Sequence, residues 1–203
     1  MTMKMLKFIR KFILIIIICI SYLLLAPNVN ASMDEAFLAG GCFWCLEHDL
    51  EDLQGVISVT SGYTGGDMEN PNYSNHNGHQ EAVRVTYDSS KIDFPTLLRS
   101  YWRNIDPYDS EGQFCDRGDS YRPVIFTQGD EQKLAADRSL ESVANKLNLS
   151  PEEIKVAINP AKKFWVAEEY HQDFAVRNPL KYKFYRYSCG RDARLEEVWV
   201  RVK

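Results

Sequence analysis

No internal repeat, low-complexity tract or linker-like stretch interrupts the sequence after Ser32, so the 203 residues are expected to hold one domain with at most an appendage. An excess of basic residues is missing as well. The formal net charge is −4 over the whole chain, which argues against nucleic acid as a partner. Long hydrophobic runs are absent apart from Phe12–Leu25, and those 14 residues fall short of the ~20 that a bilayer span needs. The run follows Lys4, Lys7, Arg10 and Lys11 and precedes Pro27, with small residues at Val29 and Ala31. Residues 1–31 therefore read as a secretory signal peptide cleaved after Ala31, with an uncleaved membrane anchor as the alternative. Cleavage would remove four basic and no acidic residues, leaving 20 basic against 28 acidic ones and a formal charge of −8 on residues 32–203.

Cysteine is scarce: there are five, and Cys19 sits inside the apolar run. The remaining four, Cys42, Cys45, Cys115 and Cys189, allow two structural disulfides in an oxidising compartment. They equally allow thiol catalysis, because a domain of this length can fold on its core without staples.

Hydrophobic spacing gives a strand over Ala36–Ala39, a helix from Cys42 to Leu53 and a second strand from Gly55 towards Tyr63. Residues 62–78 are rich in Gly, Asn and Pro and read as a long loop. Glu81, Val83, Val85 and Tyr87 alternate with polar neighbours as a third strand. Asp93 is placed to cap a helix carrying Phe94, Leu97, Leu98, Tyr101 and Trp102. A strand over Tyr121–Thr127, a helix over Asp130–Leu147 and short strands near Val156 and Trp165 follow. The order strand, helix, strand, strand, helix, strand is the split β-α-β-β-α-β arrangement. It predicts an α/β (α+β) two-layer sandwich, a ferredoxin-like α/β roll with a mixed, mainly antiparallel sheet. Residues 181–203 lack periodicity until Ala193–Trp199 and are expected to form a mobile tail carrying Cys189.

Gly40-Gly41-Cys42-Phe43-Trp44-Cys45 carries the sharpest chemistry. Two glycines free the backbone before a helix start, where N–H groups and the dipole favour an anion, so Cys42 is expected as an ionised sulfur nucleophile. A buried structural cysteine is the competing reading. Phe43 and Trp44 would wall an apolar pocket for a methyl or thioether group, or simply pack in the core. Cys42 and Cys45 together also spell the C-x-x-C of a thioredoxin-like disulfide exchanger, and a zinc site of Cys42, Cys45, His76 and His79 is a further rival. Glu81 shares its strand face with apolar residues. Its carboxyl group should point inward, stay protonated and donate to an oxyanion, unless it reaches solvent at the strand end. Tyr63 and Tyr121, where strands meet loops, can hydrogen-bond a substrate oxygen or merely pack. Asp116, next to Cys115, is either a pocket group or a turn residue.

With Gly41-Cys42-Phe43-Trp44, Gly62-Tyr63-Thr64-Gly65-Gly66, Gly78-His79-Gln80-Glu81-Ala82-Val83 and Asp116-Arg117-Gly118-Asp119-Ser120-Tyr121-Arg122 in this order, the chain resembles the peptide methionine sulfoxide reductases of the A family. The likeness runs from Phe37 through Ala167-Glu168-Glu169-Tyr170-His171-Gln172 to the tail. It implies reduction of methionine-S-sulfoxide, with Cys42 attacking sulfur, Phe43 and Trp44 holding the methyl, and Glu81, Tyr63 and Tyr121 binding and protonating the oxygen with support from Asp116. Cys42 would be left as a sulfenic acid that a second cysteine converts to a disulfide. By resemblance that cysteine is Cys189, with Cys45 and Cys115 as alternatives. A thioredoxin-like protein would reduce the disulfide, and no metal or organic cofactor is implied. Oxidised proteins and peptides would be the substrates, and the mature enzyme is expected to be a secreted or periplasmic monomer without stable membrane association.

Overall fold

The computed structural model describes residues 32–200; the expected signal peptide lies outside the described residues. Strands β1 (Met33–Ala39), β2 (Val56–Thr64) and β3 (Gln80–Asp88) alternate with helices α1 (Phe43–Glu51) and α2 (Phe94–Arg103). The short pair β4 (Gly112–Gln113) and β5 (Asp116–Arg117) follows, then β6 (Val124–Thr127), the long helix α3 (Gly129–Leu147), β7 (Ala157–Pro160) and β8 (Trp165–Val166). Helices α4 (Phe174–Arg177), α5 (Pro179–Ser188) and α6 (Arg191–Val200) close the described chain.

The main sheet runs β7-β6-β1-β3-β2-β8. Its central order, β6-β1-β3-β2, is what a split β-α-β-β-α-β unit produces, and all pairs are antiparallel except β6 with β7. Period-two alternation divides each strand between two faces. Ala36, Leu38, Val83, Val85 and Ile125 meet Leu46 and Leu50 of α1 and Leu97, Leu98 and Tyr101 of α2 in one core. Phe37, Ala39, Ala82, Val124 and Phe126 face the other way, under Phe164. Helices thus cover one face, and the two-layer expectation holds.

Asp93 caps α2 as expected: its Oδ1 accepts from the Thr96 amide at 2.8 Å. Removing that acceptor in Asp93→Ala should cost ~1 kcal/mol, measured as a lower urea midpoint with unchanged denaturant slope.

The expected mobile tail is corrected. Residues 179–200 form α5 and α6, joined at Gly190, and Cys189 ends α5 in a disulfide with Cys115, with Cα atoms 4.8 Å apart. The expected strand over Tyr121–Thr127 is also shortened, since a 3₁₀ turn occupies Asp119–Tyr121 and the strand begins at Val124.

Candidate active site

The site begins where β1 runs into α1. Gly41 takes φ +83°, and a Cβ there would lie 2.7 Å from Gln113, so only glycine lets the chain turn so tightly. Cys42 is the N-cap of α1 and Cys45 follows one turn later, its amide donating to the Cys42 carbonyl at 3.1 Å. These two are the free cysteines among the described residues, and both are buried.

Opposite them, β3 carries Glu81, which is 2% exposed. Its Oε2 accepts from the Phe43 amide at 3.1 Å, tying strand to helix start. Burial, set against that hydrogen bond, pushes its carboxyl pKa up to about 8, so it holds its proton at neutral pH. A cavity of about 40 Å³ lies between these groups, lined by Cys42, Phe43, Trp44, Tyr73, Glu81, Asp116, Tyr121 and Tyr185. That is room for a small terminal group.

Aromatic contacts fix its walls. Trp44 stacks on Phe174 at 3.7 Å and donates from Nε1 to His171 Nδ1 at 3.0 Å. Tyr185 of α5 meets Trp44 edge-on at 5.7 Å and donates to Asp116 Oδ2 at 2.5 Å. Since Cys115 precedes Asp116, and Cys189 follows Tyr185 by one helical turn, the Cys115–Cys189 bond ties these two wall residues together. A far larger cavity, about 680 Å³, lies among Met33, Glu35, Phe94 and Gln132. It contains no thiol and is not this site.

Six of the expected site residues, Cys42, Phe43, Trp44, Glu81, Asp116 and Tyr121, therefore line one cavity. Tyr63 does not. It is fully buried and its hydroxyl donates to Glu168 Oε2 at 2.9 Å, while Glu168 Oε1 accepts from the Tyr73 amide at 2.9 Å. Tyr63 thus helps anchor the loop that presents Tyr73, which takes the place in the cavity. Neither Tyr73 nor Tyr185 was expected; one sits in a long loop and the other in a stretch without periodicity. Cys189 does not line the cavity and is bonded to Cys115. The imidazoles of the rival zinc site are engaged elsewhere: His79 contacts the Gly66 amide and the Met68 carbonyl, and His76 the Asn72 carbonyl.

The ionisation of Cys42 also departs from expectation. It is 5% exposed, and burial, reinforced by Cys45 and Glu81, pushes its thiol well above the ordinary range. The pull of a helix start is too weak to offset that desolvation. Cys45 is instead lowered to about 7, first by the hydrogen bond from the Cys42 thiol and then, against burial, by the Arg191 and Arg186 charges. The two sulfurs titrate as one pair, and the Arg191 and Arg186 charges favour a thiolate on the Cys45 side.

A sulfur pair able to lose one proton, facing an acid that has kept its own, is arranged to attack an electrophile whose oxygen is protonated as it departs. Fold and site together define a thiol-dependent oxidoreductase. Residues 34–203 match the family model described as peptide methionine sulfoxide reductase, and the chain belongs to that family. It is 51% identical over 179 residues to peptide methionine sulfoxide reductase MsrA 2 of Caulobacter vibrioides, covering 86% of this chain and 90% of that one. Against MsrA of Bacillus licheniformis the identity is 43% over 170 residues, covering 82% and 93%. Mxr1 from Saccharomyces cerevisiae in reduced form has a TM-score of 0.65 at 29% identity, covering 73% of this chain and 87% of that one. Methionine sulfoxide reductase A of Corynebacterium diphtheriae gives 0.65 at 28%, over 75% and 78%. The protein accordingly reduces methionine sulfoxide to methionine by thiol–disulfide chemistry.

Proposed function

We propose that Cys42 is the nucleophile, Glu81 the acid and Cys45 the resolving thiol in the reduction of methionine-S-sulfoxide, free or within oxidised proteins. The observation that carries this reading is a pair of free, buried thiols one helical turn apart, with Cys42 lining a small cavity beside the buried Glu81 carboxyl group. As the Cys42 sulfur attacks the sulfoxide sulfur, its proton passes to Cys45, and Glu81 protonates the oxygen. The S–O bond of the substrate breaks, oxygen is transferred to Cys42 as a sulfenic acid, and methionine leaves. Phe43, Trp44 and Tyr73 enclose the methyl group, and Tyr121, which hydrogen-bonds Glu81, orients the acid with Asp116 behind it.

Cys45 then condenses with the sulfenic acid, because it adjoins Cys42 while Cys189 is held by Cys115. In Cys45→Ser one methionine per enzyme should still form, while cycling with a dithiol protein falls at least ~100-fold. If Cys45→Ser cycled normally and Cys189→Ser did not, the resolving role would pass to Cys189. The reductant is a thioredoxin-like protein, and no bound cofactor enters the cycle. The basic, then apolar run in residues 1–31 supports export, removal of the signal and action of residues 32–203 outside the cytoplasm. A thioredoxin-like disulfide exchanger would instead reduce insulin and ignore methionine sulfoxide, so assaying both substrates separates the two activities.

A further inference from the structure

Cys45 is backed by a cluster of charges outside the catalytic cavity, with Arg191 buried and Asp49 and Arg186 partly so. Asp49 lies one turn beyond Cys45 on α1. Arg186 of α5 meets both Asp49 oxygens, at 2.7 and 3.0 Å, and its outer side meets the exposed Asp192 at 2.7 Å. Arg191, the first residue of α6, is 1% exposed. Its Nη2 donates to the Asn104 carbonyl at 2.5 Å, and its guanidinium covers the Phe114 ring at 4.5 Å. Its Nε has no hydrogen-bond acceptor and stands 3.8 Å from Asp49. A Cβ on Gly41 would lie 3.8 Å from Arg191 Nη1, so the cation sits under the turn that carries the thiols. One partly buried carboxylate, Asp49, therefore serves two guanidinium groups, with Asp192 compensating only on the solvent side. A desolvated cation left incompletely paired needs nearby anions; the Asp116 carboxylate is one that Arg191 favours, and a thiolate on Cys45 is another.

We infer that Arg191 and Arg186 are positioning residues that keep Cys45 ionised for the condensation step, an inference that rests on Cys45 being the resolving thiol. Cys45 first releases to solvent the proton it took from Cys42; the step is then Cys42–S–OH plus Cys45–S⁻ plus a proton, giving the Cys42–Cys45 disulfide and water. The S–S bond forms as the S–O bond breaks; the Cys45 sulfur is oxidised and the Cys42 sulfur reduced. In the resting enzyme the Cys42 thiol helps hold Cys45 ionised. That thiol no longer exists once Cys42 has become a sulfenic acid. The two arginines are then the remaining charges that favour the thiolate against burial, Asp49, Glu81 and the neighbouring Tyr182. A folded helical pair thereby supplies charge to a fixed sulfur, where a tail cysteine would have to travel.

The test follows the sulfenic acid in the complete mature enzyme after one turnover with methionine sulfoxide, from pH 6 to 10. Dimedone trapping competes with disulfide formation, and mass spectrometry identifies the peptide pair. In the wild type, Cys42–Cys45 formation should reach half its limiting rate below pH 8. Arg191→Met should slow it about fivefold at pH 7 and lose the deficit above pH 9, since one unit of upward shift from about 7 takes the thiolate at pH 7 from about half to about a tenth. Arg191→Lys should restore most of the rate. Arg186→Gln, at a less buried position, should show the same shift in smaller measure and serves if the Arg191 variants do not fold. A wild-type midpoint at or above pH 9, or unchanged profiles in the charge-removing variants, would overturn the inference. If the wild type forms no Cys42–Cys45 peptide at all, the resolving assignment itself fails, a result distinct from the loss of the arginine effect.

Discussion

Cys42→Ser is expected to release no methionine from methionine sulfoxide, even in a single turnover with excess dithiol. The reaction needs a sulfur that can accept oxygen as S–OH, and a serine hydroxyl neither attacks sulfur readily nor can form that product. A loss of at least ~10⁴-fold is the scale seen when a nucleophile is removed and the binding groups remain. The fold should survive, because serine is close in size and the cluster of Cys45, Phe174, Ala175 and Tyr182 around it is untouched. The melting temperature and the Cys115–Cys189 bond are the controls. Serine keeps an O–H that can donate to Cys45 as the Cys42 thiol does. Cys42→Ala leaves no donor there, so alkylation of Cys45 by iodoacetamide should move to higher pH in that variant, a second reading independent of turnover. Retained methionine release would shift the nucleophile to Cys45.

Most of the sheet and three of the helices were legible because their apolar residues obey one period. β3 alternates cleanly, and α2 has its cap and its five buried apolar side chains where the spacing puts them. The C-terminal helices were hidden because their pattern is inverted. α5 exposes Leu180, Phe184 and Tyr187, whereas α6 begins with a buried arginine. An apolar stripe facing water and a cation facing the core defeat any reading that equates apolar with buried. Tyr185 went unseen for that reason, and Tyr73 because a loop has no period to betray its direction. For Tyr63 the strand was legible but the partner of its hydroxyl was not. Its ring is buried as the pattern requires, but Glu168, 105 residues later, takes its hydroxyl. The ionisation of Cys42 was misjudged because a helix start is visible in sequence and the depth of burial is not. Glu81 was within reach because it shares parity with Val83, Val85 and Tyr87, and parity decides which face a carboxyl group occupies.

Glu81→Gln tests the other half of the chemistry with little change of shape. Glutamine can still accept from the Phe43 amide through its carbonyl oxygen, so the bond from strand to helix start survives. What is lost is a proton that can be given away. Transfer from a positioned acid contributes roughly 10²–10⁴-fold, and a sulfoxide oxygen is a poor leaving group without it, so the first turnover should slow on that scale. The pH profile separates proton donation from mere hydrogen bonding. With a carboxyl pKa of about 8, wild-type Glu81 is protonated below that value, and the reductive step should fall as pH rises through it. The glutamine variant should lack that descending limb, leaving a low rate that follows the ionisation of the sulfur pair alone. The same proton has a stability consequence. Between the ordinary carboxyl range and about pH 8 the folded chain holds a proton that the unfolded chain has released, so Glu81 makes the fold less stable as pH rises across that window. Glu81→Gln removes this slope, and its melting temperature relative to wild type should therefore climb from pH 5 to pH 8. A single-turnover rate within threefold of wild type, or a descending limb that persists near pH 8 in the variant, would mean that another group delivers the proton, and Tyr121 and Asp116 across the cavity would be the next to replace.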